Sequence, residues 1–155
     1  MNWRRGRLHV TTPGSYAATT QADKLILLLP LVLYNDGPVP YVVRDLRLRF
    51  ADEPGGAPLY FQRTRSGVSP GHHPELLDLG AAFPVPGNGT VRLFCEFERR
   101  PSARQVDAKR HPLVLEALTN RDDSWRVLLR FDLDVDQEAS AKIPGHFIAF
   151  RNPLS

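Results

Sequence analysis

The strongest pattern in the chain is an alternation of apolar and polar residues with period two. Trp125, Val127, Leu129, Phe131, Leu133 and Val135 interleave with Arg126, Leu128, Arg130, Asp132 and Asp134. Such a segment buries one face only as a β-strand, because successive side chains of a strand point to opposite sides. A second ladder, Val91, Leu93, Cys95 and Phe97, sets Arg92, Phe94, Glu96 and Glu98 on its other face. A third sets Val42, Leu46, Leu48 and Phe50 against Asp45, Arg47 and Arg49. Leu25 to Tyr34 is apolar on both faces and predicts a central strand covered on both sides. Leu8 to Thr11, Pro58 to Gln62 and Leu113 to Thr119 are shorter candidates, which brings the expectation to about seven strands.

The segments between them carry turn chemistry. Asn35-Asp36-Gly37-Pro38 ends the apolar strand, since Asn, Asp and Gly tolerate positive φ and Pro then blocks further ladder pairing. Asp52-Glu53-Pro54-Gly55-Gly56, Pro86-Gly87-Asn88-Gly89 and Asn120-Arg121-Asp122-Asp123-Ser124 act in the same way. The longest irregular stretch, Thr64 to Pro74, predicts a loop that is functional or mobile. Short strands, Gly/Pro turns and the lack of an amphipathic helix point to an all-β fold, an immunoglobulin-like antiparallel β-sandwich.

A chain of 155 residues supports one domain, and 42% apolar with 24% charged residues excludes disordered and collagen-like classes. The longest apolar run, Leu25 to Leu33 with Pro30 inside it, has about half of the ~20 residues that a spanning helix needs. A lone Cys95 cannot form an intramolecular disulfide, so the cytoplasm or the cytoplasmic face of a membrane is the expected location. The net charge of +3 lies wholly in Arg4, Arg5 and Arg7. Residues 1–7 therefore read as a basic arm and residues 8–155 as one formally neutral domain. Trp3 among Arg4, Arg5 and Arg7 has the composition of a membrane-flanking segment, an aromatic anchor beside cations, and an ordinary basic arm is the alternative. The excess of Arg over Lys is read as genomic base composition rather than as chemistry.

Several segments together resemble known sequences. Trp3-Arg4-Arg5-Gly6-Arg7-Leu8, Leu29-Pro30-Leu31-Val32-Leu33-Tyr34-Asn35-Asp36-Gly37, Leu46-Arg47-Leu48-Arg49-Phe50, Phe83-Pro84-Val85, Cys95-Glu96-Phe97 and Trp125-Arg126-Val127-Leu128-Leu129 resemble a class of uncharacterised bacterial immunoglobulin-like domains. The strand followed by Asn-x-Gly is similar to adhesion-related bacterial modules of that kind. The resemblance implies a β-sandwich that is often membrane-anchored. The missing Cys pair around a central Trp separates the chain from antibody-type domains.

Candidate chemistry is sparse. Gly67-Val68-Ser69-Pro70-Gly71 matches the G-x-S-x-G elbow in letters, but Pro70 lacks the N–H that an oxyanion hole needs after the nucleophile. His72, His73 and Glu75 are the candidate metal ligands, although adjacent His residues in extended chain point apart. His9, His111 and His146 are scattered one to a segment. Cys95 shares the parity of Val91, Leu93 and Phe97, which predicts a buried, inert thiol. Asp132, Asp134 and Asp136 share one strand face but spread their oxygens more widely than Ca²⁺ accepts. Arg47, Arg49, Arg126 and Arg130 on neighbouring strands offer cross-strand partners for such carboxylates. Acid and base interleave, so no basic stripe for nucleic acid is present, and phosphate-cradling Gly motifs are absent.

The outward parities are apolar in places. With the odd-numbered leucines of Leu25 to Leu33 inside, Ile26, Leu28 and Val32 point out, and Phe94 likewise faces away from Val91, Leu93 and Phe97. These four residues are the expected interaction surface. They need a cover, either the chain's own tail from Ile143 to Phe150 or arm with Trp3 and Tyr16, which is the preferred reading, or a protein partner or second copy. The sequence therefore predicts a non-enzymatic immunoglobulin-like interaction or accessory module without cofactor, membrane-tethered in one version. A small-ligand or metal-binding domain using residues 64–75 is the alternative.

Overall fold

The computed structural model describes residues 6–65 and 76–153. Among these the chain forms eleven strands and one short helix. The strands are β1 (Leu8–Val10), β2 (Ser15–Gln21), β3 (Lys24–Asn35), β4 (Tyr41–Phe50), β5 (Leu59–Arg65), β6 (Leu76–Leu79), β7 (Phe83–Val85), β8 (Thr90–Arg99), β9 (Arg110–Thr119), β10 (Arg126–Asp134) and β11 (Ile148–Arg151). The helix α1 (Gln137–Lys142) opens with Asp136, whose carboxylate accepts from the Ala139 N–H. It is too short to cross a membrane, and no helix among the described residues is long and apolar enough to do so.

Every strand pair is antiparallel, and all eleven belong to one hydrogen-bonded network in the order β10-β9-β4-β5-β8-β3-β2-β11. β1 adds to β3, β6 to β5 and β7 to β4. The sheet curls into a half-barrel, and β5 is where its two halves join through a short ladder. It pairs with β4 through Leu59 and Tyr60 and with β8 from Tyr60 to Arg65. The seven strands expected from the sequence are present, but the count was too low. β2 was overlooked because Ser15-Tyr16-Ala17-Ala18-Thr19-Thr20-Gln21 lacks bulky alternation, and β6, β7 and β11 have only three or four residues each, too few to show a period.

Leu25, Leu27, Leu29, Leu31 and Leu33 of β3 are fully buried at the centre of one core that also holds Leu46, Leu48, Leu59, Phe97, Leu113, Leu115 and Leu133. Side-chain parity departs from expectation at two bulges. In β4 the extra residue between Val43 and Asp45 turns Val43 inward and leaves Val42 36% exposed. In β10 the ladder slips between Val127 and Leu129, so Phe131 and Leu133 are buried while Val127, expected inside with them, is 44% exposed. The tail also behaves differently from a cover. β11 extends the sheet at the edge of β2, with Phe150 opposite Tyr16 and their rings 5.6 Å apart. It saturates an edge that would otherwise display unpaired N–H and C=O groups.

The far ends of the curled sheet meet through side chains. The Asn152 amide oxygen accepts from the Asp134 N–H at 2.8 Å, and its NH₂ donates to the carbonyls of Asp132 at 3.1 Å and Pro13 at 2.9 Å. The Tyr16 hydroxyl donates to the Asp134 carbonyl at 3.3 Å. Buried Asn152 thus acts in place of a ladder on the edge of β10. Asn152→Ala strands one N–H and two carbonyls, so we expect a loss of about 1–3 kcal/mol in urea unfolding. A change below the error of the midpoint would show that the closure contributes nothing.

Candidate functional site

Each strand crossing the outer face of β10, β9, β4 and β5 contributes one residue to a continuous row: Val127 opposite Glu116, Glu116 opposite Arg47, and Arg47 opposite Tyr60. Strands lie ~4.8 Å apart, so the row spans roughly 14 Å. Its ends are the two most exposed large apolar side chains among the described residues, Tyr60 at 51% and Val127 at 44%. Between them Glu116 is buried and holds two guanidinium groups. Arg47 Nε donates to Oε1 at 2.9 Å and Arg49 Nε to the same oxygen at 2.7 Å. The half-buried Trp125 ring packs 4.2 Å from the Arg47 guanidinium, a cation–π contact that restricts its rotamers. Burial alone would raise the Glu116 carboxyl, but the hydrogen bonds from Arg49 and Arg47 outweigh it and hold the group below the usual carboxylate range. A second row, Arg130 opposite Val114 and Val114 opposite Arg49, lies beside the first.

Trp, Tyr and Arg are the side chains that dominate binding surfaces, because they bring large rigid area and several hydrogen bonds. Sequence reasoning placed Trp125 and Val127 in the core and paired Arg47 and Arg49 with aspartates of the neighbouring strand. The structure gives both arginines to Glu116 of β9, whose parity became visible only when β9 extended from Arg110 to Thr119. No early signal marked Glu116, since it sits in the otherwise apolar run Leu113-Val114-Leu115-Glu116-Ala117-Leu118.

The expected surface lies on the other half of the sheet. Leu28 is fully buried within the chain, flanked in its cross-strand row by Ala17 and Glu96, and so presents nothing to a partner. Ile26, Val32 and Phe94 are half-buried, with the Arg92 guanidinium 4.9 Å from the Phe94 ring. Glu96 also lies between two arginines: Arg65 Nε donates to Oε1 at 3.0 Å, and Arg63 Nε lies 3.1 Å from Oε2 as an ion pair without a hydrogen bond. Ser69, His72, His73 and Glu75 lie outside the described residues, as do Trp3, Arg4 and Arg5. Arg7 is exposed, and its backbone N–H donates to Asp36. Cys95 is sealed in the core, and burial pushes its thiol up to about 12.

Two other polar features are mostly paired within the chain, although the buried Arg104 Nε has no hydrogen-bond partner among the described residues. A groove of about 710 Å³ beside α1 and β11 contains Asp136, spent as the helix cap, and Glu138, paired with Lys142 at 2.9 Å. At the loop end of β4 and β9, Arg104 binds Asp52 at 2.7 Å and Glu53 at 2.5 Å, and lies 3.7 Å over the Phe50 ring. Arg104 Nη2 also donates to Nδ1 of fully buried His111 at 2.8 Å, while His111 Nε2 donates to the Asp107 carbonyl at 2.8 Å. Among the described residues no three His, Cys, Asp or Glu side chains are grouped to hold a metal ion. Comparison with protein-family models finds no match, and comparison with curated proteins finds none either.

Two outcomes follow from these charges. Burial and the nearby Arg104 lower the His111 pKa from 6.5. The unfolded chain therefore takes up a proton before the folded one, and stability present above pH 6.5 falls as pH drops toward the folded-state value. Urea midpoints measured from pH 7.5 to 5.5 should decline in the wild type and flatten in His111→Gln, and equal slopes would exclude His111 as the source. Glu116→Gln, which removes the charge between two arginines, should cost about 1–3 kcal/mol in the same assay at pH 7.

Proposed function

We propose that this protein is a non-enzymatic, immunoglobulin-like interaction module whose binding face is the outer surface of β10, β9, β4 and β5. The observation that carries the reading is the single row in which Tyr60 and Val127 stand exposed on either side of half-buried Arg47 and buried Glu116. A folding chain gains nothing from leaving Tyr60 and Val127 in water, and a bound surface gains their burial, about 25 cal/mol per Å² of apolar area removed from water. The immunoglobulin-like assignment is supported by the ladders β2-β3-β8 and β4-β9-β10 sharing one core, with β5 bridging them. The reading as a binding protein rather than an enzyme is supported by the state of several reactive groups among the described residues: Glu96, Glu116, Glu53 and Asp52 are held by arginines and Cys95 is sealed.

The test compares wild type with Tyr60→Ala/Val127→Asp, immobilised and exposed to extract of the source cells, alongside light scattering of each at high concentration. Tyr34→Ala, which trims an exposed ring opposite Thr90 of β8, serves as the off-face control. A partner retained, or a self-association seen, with wild type and Tyr34→Ala but reduced about tenfold in the double variant supports the face. Equal behaviour of all three proteins sinks it.

A further inference from the structure

One end of the molecule carries an apolar tip that belongs neither to the core nor to the face described above. Pro38, Val39 and Pro40, in the loop between β3 and β4, are exposed, as are Pro84 of β7 and Pro86 just after it. Val39, at 42%, is among the most exposed large apolar side chains of the described residues. The two segments form one surface. Val42, itself 36% exposed, stands opposite Pro84, the Asn88 N–H donates to the Gly37 carbonyl at 2.8 Å, and Gly87 packs so closely on Pro38 that a Cβ there would strike the Pro38 carbonyl.

The backbone of this tip is largely satisfied within the chain. Pro38, Pro40, Pro84 and Pro86 carry no N–H, and the Val39 carbonyl accepts from Asn35 Nδ2 at 2.7 Å and Arg121 Nη2 at 2.6 Å. Polar groups already bonded inside the chain enter apolar surroundings at far lower cost than open ones. The same Arg121 guanidinium fixes where the basic arm begins. Its Nη1 donates to the Gly6 carbonyl at 3.3 Å, the Tyr41 hydroxyl donates to that carbonyl at 3.3 Å, and the Asp36 N–H donates to the Arg7 carbonyl at 3.1 Å. Arg4 and Arg5 join this point directly in the sequence. Around the tip the described charges balance, Arg7, Arg44, Arg121 and Arg126 against Asp36, Asp45, Asp122 and Asp123, so the positive excess is that of Arg4 and Arg5.

We infer that this end rests on an anionic lipid bilayer, with Val39 and its flanking prolines in the boundary between headgroups and acyl chains and Arg4, Arg5 and Arg7 against the anionic headgroups. A small apolar wedge beside a cationic arm combines the two attractions that hold a peripheral protein on such a surface, shallow apolar burial and electrostatics. Trp3 adds an aromatic ring of the kind that favours the interface. The wedge is pre-shaped by its prolines and by Arg121, so little conformational freedom is left to lose on contact.

The experiment floats the whole chain with vesicles of phosphatidylcholine alone and of phosphatidylcholine with about one-third phosphatidylserine. Binding is expected to the mixed vesicles only, falling as salt rises, and weakened roughly tenfold by Val39→Asp and by Arg4→Gln/Arg5→Gln. Val39 is exposed, so Val39→Asp leaves the core intact, which circular dichroism checks, and Val39→Trp should strengthen binding. Tyr60→Ala, on the face assigned to a protein partner, should leave it unchanged, which separates the two surfaces. The inference is overturned by no co-flotation at millimolar lipid, by equal binding to phosphatidylcholine alone, by indifference to both Val39 substitutions, or by displacement with soluble phosphoserine at the lipid's own concentration. A self-association abolished by Val39→Asp also overturns it, because the tip would then belong to a second copy of the chain.

Discussion

Side chains on a strand alternate between two faces with no intermediate state, and the outer surface of this molecule depends on where that alternation is interrupted. One inserted residue in β10 moves Val127 from the core parity to solvent, and one in β4 does the same for Val42. Downstream of each bulge the register is restored, so Phe131, Leu133, Leu46, Leu48 and Phe50 still fill the core. A bulge therefore costs a local ladder contact and delivers an apolar side chain to the outside without disturbing what lies below it. β5 uses the same device once along its pairing with β8, and β6 carries a second irregularity opposite Thr64 and Arg65, where the sheet passes from one side of the core to the other.

The charged residues follow a common plan. Glu116 and Glu96 are buried carboxylates on the outer face, each held by an Arg-x-Arg pair on the adjacent strand, Arg47 and Arg49 in one case and Arg63 and Arg65 in the other. Taking a lone carboxylate out of water would be costly, and two guanidinium groups offset that cost while leaving one positive charge in excess at each site. The first site differs from the second in its surroundings. Tyr60, Val127 and Trp125 border the Glu116 site, whereas the Glu96 site adjoins half-buried Phe94.

Closure of the half-barrel relies on polar groups rather than on a strand. Asn152 and Tyr16 satisfy the edge of β10 near Asp132 and Asp134, and the Arg104 cluster ties the loop after β4 to the loop before β9. Most polar atoms of these networks are paired and partly withdrawn from water, which strengthens each bond and makes each loss expensive, although the buried Arg104 Nε has no hydrogen-bond partner among the described residues. The Arg104 cluster also makes stability depend on pH in two separate windows, one set by His111 near neutrality and one by Glu53 and Asp52 in acid.

The amino-acid sequence by itself determined the all-β antiparallel class, the positions of the long strands and the burial of Cys95, because each follows from period-two patterning and turn chemistry within a few neighbouring residues. It also located the turn at Asn35-Asp36-Gly37, where the Asn35 side chain accepts from the Gly37 N–H at 3.0 Å. Strand count, sheet closure and the outward face were decided only in the tertiary structure. A bulge is defined by the partner strand it opposes, so no local reading could move Trp125 and Val127 outside or bring Glu116 between Arg47 and Arg49. Leu28 shows the converse: local parity sent it outward, and the assembled chain buried it beside Glu96. Local alternation fixes which residues share a strand face, and only the pairing of distant strands decides which of those faces meets water.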